Sequence, residues 1–163
     1  MASDLSTLTT LHTALSFIAL ATGAVVVAQL LREGARPGWT GMFLASAIAT
    51  SVTGFLFPLG RILPSHLVGG IALPVLGLVL AARYAFRLDG GWRQVDAGGM
   101  VASLYLLALV AVAQAFAKLP ELRAAATRSE TPFNVTQAVL LAGFVVLGVA
   151  AVRAARRGRT LTA

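Results

Sequence analysis

Read from its start, the chain alternates long apolar runs with short polar breaks, and the runs recur five times, at about residues 8–31, 38–57, 65–86, 95–118 and 132–152. Each run is close to the ~20 residues a helix needs to cross ~30 Å of hydrocarbon at 1.5 Å per residue. The breaks, Arg32 to Gly38, Pro58 to Pro64, Arg87 to Gln94 and Leu119 to Thr131, are rich in Gly, Pro or charge. None is long enough for a second domain, so residues 1–163 read as one transmembrane domain. The period-two alternation of a membrane β-barrel is missing, which leaves an all-α, polytopic helical bundle of five spans as the expected fold.

Within the runs, small and polar residues fall at helical spacing. Thr9, His12, Ser16, Ala19 and Gly23 share a face of the first span, and Ser46, Thr50, Thr53 and Gly54 one of the second. Gly70, Pro74, Gly77 and Ala81 continue the face of His66 in the third. Asp96, Gly99, Ser103, Gln114 and Lys118 form a stripe in the fourth, and Gln137, Phe144 and Gly148 one in the fifth. Small residues let helix backbones approach in lipid, so these stripes predict helix contacts. Pro74 predicts a kink. Ser65 is the expected N-cap of the third span, with His66 in its first turn, and Thr131 the expected N-cap of the fifth, followed by Pro132.

Composition agrees with the pattern. Of 163 residues, 58% are hydrophobic and 12% charged, and the mean hydropathy is +0.84, whereas soluble domains carry roughly 25% charged residues. The opening "MASDLSTLTT" has an acid and no basic residue. A cleavable signal peptide begins with a basic region, so the first span is expected to remain in the mature protein. The chain has no cysteine, which excludes disulfides, thiolate metal sites and iron–sulfur clusters supplied by it.

Charge sets an expected orientation. Arg32, Arg36, Arg83, Arg87, Arg93 and the four arginines from Arg153 onward fall on one side, nine in all; Arg61, Lys118, Arg123 and Arg128 fall on the other, and together they account for all thirteen Lys and Arg. The side richer in Lys and Arg is cytoplasmic, which puts the N-terminus outside and the C-terminus inside, in a bacterial inner membrane. The net charge of +7 sits at span ends, and "RAARRGRT" directly follows the last span. Anionic lipid head groups are therefore the expected partner of that end, and nucleic acid is not.

In this orientation the polar side chains of the outer half are His12, His66, Gln114, Lys118 and Gln137, with Arg61 in the adjacent break. They come from four of the five spans. Ionisable and amide groups are costly inside a membrane and tend to face inward or mark a functional path. Two chemistries fit. His12 and His66 could be the metal ligands of a b-type haem, with Arg61, Lys118 or Arg123 meeting the propionates. A quinone could instead accept hydrogen bonds from His66, Gln114 or Gln137 in a mostly apolar pocket. The plainer alternative makes each histidine an interfacial side chain bonded to a neighbour, and Lys118 a snorkelling cation.

Hydrolysis and phosphoryl transfer find no support, because there is no phosphate-cradling glycine loop, no paired carboxylates on a span and no nucleophile elbow. Asp96 is the only acid inside an expected span.

"QAFAKLPELRAAATRSETPFNVTQ" (Gln114 to Gln137), with "TGFLFP" from Thr53 and "SHLVGGIAL" from Ser65, resembles a set of small bacterial multi-pass integral membrane proteins to which no activity is attached. In having a histidine at the mouth of an apolar helix, the chain is also similar to membrane b-type cytochromes. The first resemblance implies that the stretch around "KLPELR" is a defined element lying on the membrane surface or docking a partner.

The expected function is a non-catalytic integral membrane component of a larger bacterial membrane assembly, with an outer polar pocket for haem b or a quinone. A membrane protein partner or a homo-oligomer is expected with it. A stand-alone electron-transfer b-type cytochrome subunit and a small transporter are the alternatives.

Overall fold

The computed structural model describes residues 2–32, 36–57 and 64–160, without the side chains of residues 2–4, 64–66 and 158–160. These residues form α1 (Ala2–Arg32), α2 (Pro37–Phe55), α3 (Pro64–Leu80) continuing as a π-helical turn (Ala81–Ala85), α4 (Trp92–Lys118), α5 (Pro120–Arg128) and α6 (Thr131–Thr160). The protein is all-helical, and the five apolar runs all become long helices. Four helical stretches, Leu5–Arg32, Leu67–Ala85, Trp92–Lys118 and Thr131–Arg157, are long and apolar enough to cross a membrane. They make this a membrane protein.

α2 is long enough but less apolar, and the reason is visible. Its Thr40, Ser46, Thr50 and Ser51 are buried, while Trp39, Met42, Val52 and Phe55 face outward. Its polarity is turned into the bundle. Thr40, Ser46 and Ser51 each donate the hydroxyl proton to the carbonyl four residues earlier, as hydroxyls in apolar helices commonly do.

α1 packs on α2 and α4, and α3 packs on the same two helices, so the four close into a ring; α6 lies outside it against α4 and α1. Glycines mark two close approaches. A Cβ on Gly23 would lie 2.7 Å from the Phe43 ring and 2.8 Å from Leu104 Cδ1, where α1 meets α2 and α4. A Cβ on Gly99 would collide with Val79 Cγ2, where α4 meets α3. Around these contacts Val26, Phe43, Leu76, Val79 and Met100 form a fully buried core. This is the end of the bundle that carries Arg32, Arg83 and Arg156. The opposite end is hollow.

The third span corrects two expectations. Gly70, Pro74 and Gly77 are exposed, and a Cβ on Gly70 or Gly77 would meet nothing within 4 Å. The face turned inward is Val68, Gly69, Ala72 and Leu76. α3 also begins at Pro64, so Ser65 lies within its first turn and does not precede it. At the start of α6, Thr131 is already helical; its N–H donates to Ser129 Oγ at 3.2 Å, and the first backbone bond runs from Asn134 N to Glu130 O. α6 then continues beyond the expected end at 152 to Thr160, because alanine and arginine sustain a helix. Among its described side chains only Ala151 is buried.

The stretch after α4 folds as a short helix, α5. Pro120 takes the first helical position of α5 after an extended Leu119, and no residue of α5 is buried.

Candidate functional site

The hollow end holds a cavity of about 570 Å³ bounded by α1, α2, α3 and α4. Along α4 it extends from Ser103 to Lys118, roughly 22 Å of helix. Leu20, Ala72, Leu76, Leu106, Leu107 and Val110 give it apolar walls. Hydroxyls of Thr9, Thr13, Ser16, Thr50, Ser51 and Ser103 are spread along it, while its larger polar side chains, His12, Gln114 and Lys118, cluster where α1 and α3 begin and α2 and α4 end. An apolar pocket with a small number of convergent polar groups is the usual form of a small-molecule site.

His12 is the best-positioned of them. Its Nδ1 lies 2.9 Å from Thr53 Oγ1 across the α1–α2 contact, and its ring meets Phe57 edge to face, with centroids 5.4 Å apart. The antiparallel pairing of α1 with α2 produces this contact, because it aligns the first turns of one helix with the last turn of the other. Ser16, one turn further, returns its hydroxyl to the His12 carbonyl at 2.7 Å. Lys118 is exposed at the mouth and close enough to act electrostatically on His12. No described carboxylate pairs with it.

Of the six residues expected at the site, the structure brings His12, Gln114 and Lys118 to one cavity. Gln137 lies elsewhere, on the α4–α6 contact, where its Nε2 donates to Leu109 O at 3.3 Å and its buried Oε1 has no partner. Arg61 and the side chain of His66 lie outside the described residues. The His66 backbone stands in the first turn of α3, two residues before cavity-lining Val68. No group of three metal-ligating side chains forms among the described residues.

Two features escaped the sequence reading. Thr50 and Ser103 line the cavity, yet their buried hydroxyl oxygens have no partner among the described residues, unlike those of Ser16, Thr22, Thr40, Ser46, Ser51 and Thr53, which all bond back to their own helices. Nothing in a linear sequence marks the difference. The second feature was detectable. Arg83 stands six residues before Asp89 and Asp96 six residues after Gly90, so a hairpin turning at Asp89 and Gly90 sets them side by side. They pair through Arg83 Nη2 to Asp96 Oδ2 at 2.7 Å and Nε to Oδ1 at 3.2 Å.

The turn that permits this pairing is unusual. Phe86 N–H donates to Ala81 O and Leu88 N–H to Ala82 O, and Arg87 and Leu88 both adopt left-handed backbone, φ 51° and 60°. Such conformations cost energy in residues with a side chain. Stacking of Phe86 on Trp92, with centroids 3.9 Å apart, closes the turn over them.

Compared with protein-family models, with curated proteins and with solved structures, the chain matches none.

Proposed function

We propose that the protein is a non-catalytic component of a bacterial inner-membrane assembly that holds a quinone-class lipid in the cavity between α1, α2, α3 and α4. The observation that carries this reading is the cavity itself: apolar walls along roughly 22 Å of α4, with His12, Gln114 and Lys118 gathered at one end. A quinone has the matching form, an apolar body with oxygen atoms on a ring. The residues supply binding and orientation, and electrons pass to or from a partner subunit of the assembly.

In this reading α2 is the fifth span, its inward hydroxyls bonded to its own backbone. The cavity end faces outward and the arginine-rich end, which meets anionic lipid head groups, faces the cytoplasm. The native chain has no cysteine, so single cysteines introduced at Ser129 and Asp89 can be labelled from outside and inside. Ser129 should react from the outer side alone.

The functional test is equilibrium binding of a short-chain naphthoquinone and its quinol to the protein in nanodiscs, with His12→Leu and Gln114→Leu as controls. Saturable binding to the wild type, weakened in both variants, is expected. Wild-type protein that binds neither form would falsify the reading.

One observation favours a second ligand. A histidine that donates through Nδ1 keeps Nε2 for a metal, and Nδ1 is the His12 atom that meets Thr53. An absorption spectrum after haem-replete expression decides it: sharp haem bands lost in His12→Ala would replace quinone by haem b.

A further inference from the structure

The polarity of His12 follows from the hydroxyl it touches. Thr53 has a single hydroxyl proton, and its oxygen lies 2.7 Å from the Ala49 carbonyl and 3.1 Å from that of Thr50. Carbonyl oxygens only accept, and a 2.7 Å approach of two oxygens without a proton between them is repulsive, so the proton belongs to the Thr53 helix. In the 2.9 Å contact with His12 the histidine Nδ1–H is therefore the donor. The neutral ring then carries its bare lone pair on Nε2, which is an acceptor. No donor from the protein reaches Nε2 among the described residues.

An acceptor at the head of a pocket discriminates between the two forms of a quinone. A quinone presents carbonyl oxygens, which cannot donate to Nε2; a quinol presents hydroxyls, which can. The cavity-lining hydroxyls of Thr50 and Ser103 and the amide of Gln114 can donate or accept, so they serve either form. The Lys118 ammonium only donates, but its side chain is exposed, so exchanging water for a ligand carbonyl brings it little gain.

We propose that the cavity selects the reduced, hydroxyl-bearing form of its ligand, with one ring hydroxyl donating to His12 Nε2 and Thr53 fixing the tautomer that makes this possible. The proposal rests on the reading of the cavity as a quinone-class site. His12 acts here as a binding residue, and Thr53 as the residue that positions its protons.

The test compares 2-methyl-1,4-naphthoquinone with its quinol, measured anaerobically by calorimetry on the full chain in nanodiscs. The quinol should bind about tenfold more tightly, the worth of one hydrogen bond that would otherwise leave an acceptor unpaired. The same ratio raises the two-electron midpoint potential of the bound ligand by about 30 mV. His12→Phe should abolish the preference. Thr53→Val should reduce it while leaving the affinity for the oxidised form unchanged, which also shows that the variant is folded. Equal affinities in the wild type, or tighter binding of the quinone, would overturn the proposal and leave the quinone-class site standing. Binding of neither form would overturn both.

Discussion

Arg83 and Asp96 are joined by two parallel hydrogen bonds, 2.7 and 3.2 Å, across the base of the α3–α4 hairpin. The Asp96 side chain is 3% exposed and that of Arg83 15%, so the carboxylate has no water to replace its partner and the guanidinium has little. Removing one member of such a pair strands the other, at a cost of about 3–5 kcal/mol, whereas removing both with apolar residues of similar size is often nearly neutral. Asp96→Ala and Arg83→Ala should each lower the thermal midpoint in detergent far more than Arg83→Met combined with Asp96→Leu. Additive losses in that cycle would show that the pair is not coupled.

The glycines divide by what surrounds them. A side chain at Gly23 must displace Phe43 and Leu104, and both are buried. Gly23→Val should destabilise the bundle by about 1–3 kcal/mol, the usual cost of overpacking. Gly77→Val, in open space, should leave the unfolding midpoint close to that of the wild type. Equal sensitivity at the two positions would contradict the ring arrangement.

Thr50 and Ser103 keep hydroxyl oxygens buried without a partner. An unsatisfied buried hydroxyl costs about 1–3 kcal/mol, so shape-preserving apolar replacements should recover some of it. Thr50→Val and Ser103→Ala are expected to match or exceed wild-type thermal stability. A clear loss in either would mean that the hydroxyl has a partner in the membrane, such as bound water.

Gln114 and Gln137 separate site from scaffold. Gln114 lines the cavity, while Gln137 makes one long bond to Leu109 O and leaves Oε1 unpaired. Quinol titration should show a several-fold loss for Gln114→Leu, in line with one hydrogen bond, and none for Gln137→Leu. A comparable loss in both would place Gln137 at the ligand.

Position along the bundle axis was legible in the sequence, and position around each helix axis was not. The apolar runs located the helices because run length is set by hydrocarbon thickness, and the shared depth of His12, Gln114 and Lys118 follows from counting residues from the span ends. Azimuth depends on which neighbours a helix meets. Glycine serves equally at a tight contact, as Gly23 and Gly99 do, or on an open outer face, as Gly70 and Gly77 do. In water an exposed small-residue stripe would betray itself by its polar neighbours. In lipid both faces are apolar, and the stripe through Gly70 and Pro74 could not be told from a packing seam. Gln137 misled for the same reason: its depth matched the site, and its face did not.

Every described residue that lines the cavity lies between Thr9 and Leu119, while α6, outside the ring, begins at Thr131. In chain order the cavity walls are written before α6, which packs on them from outside.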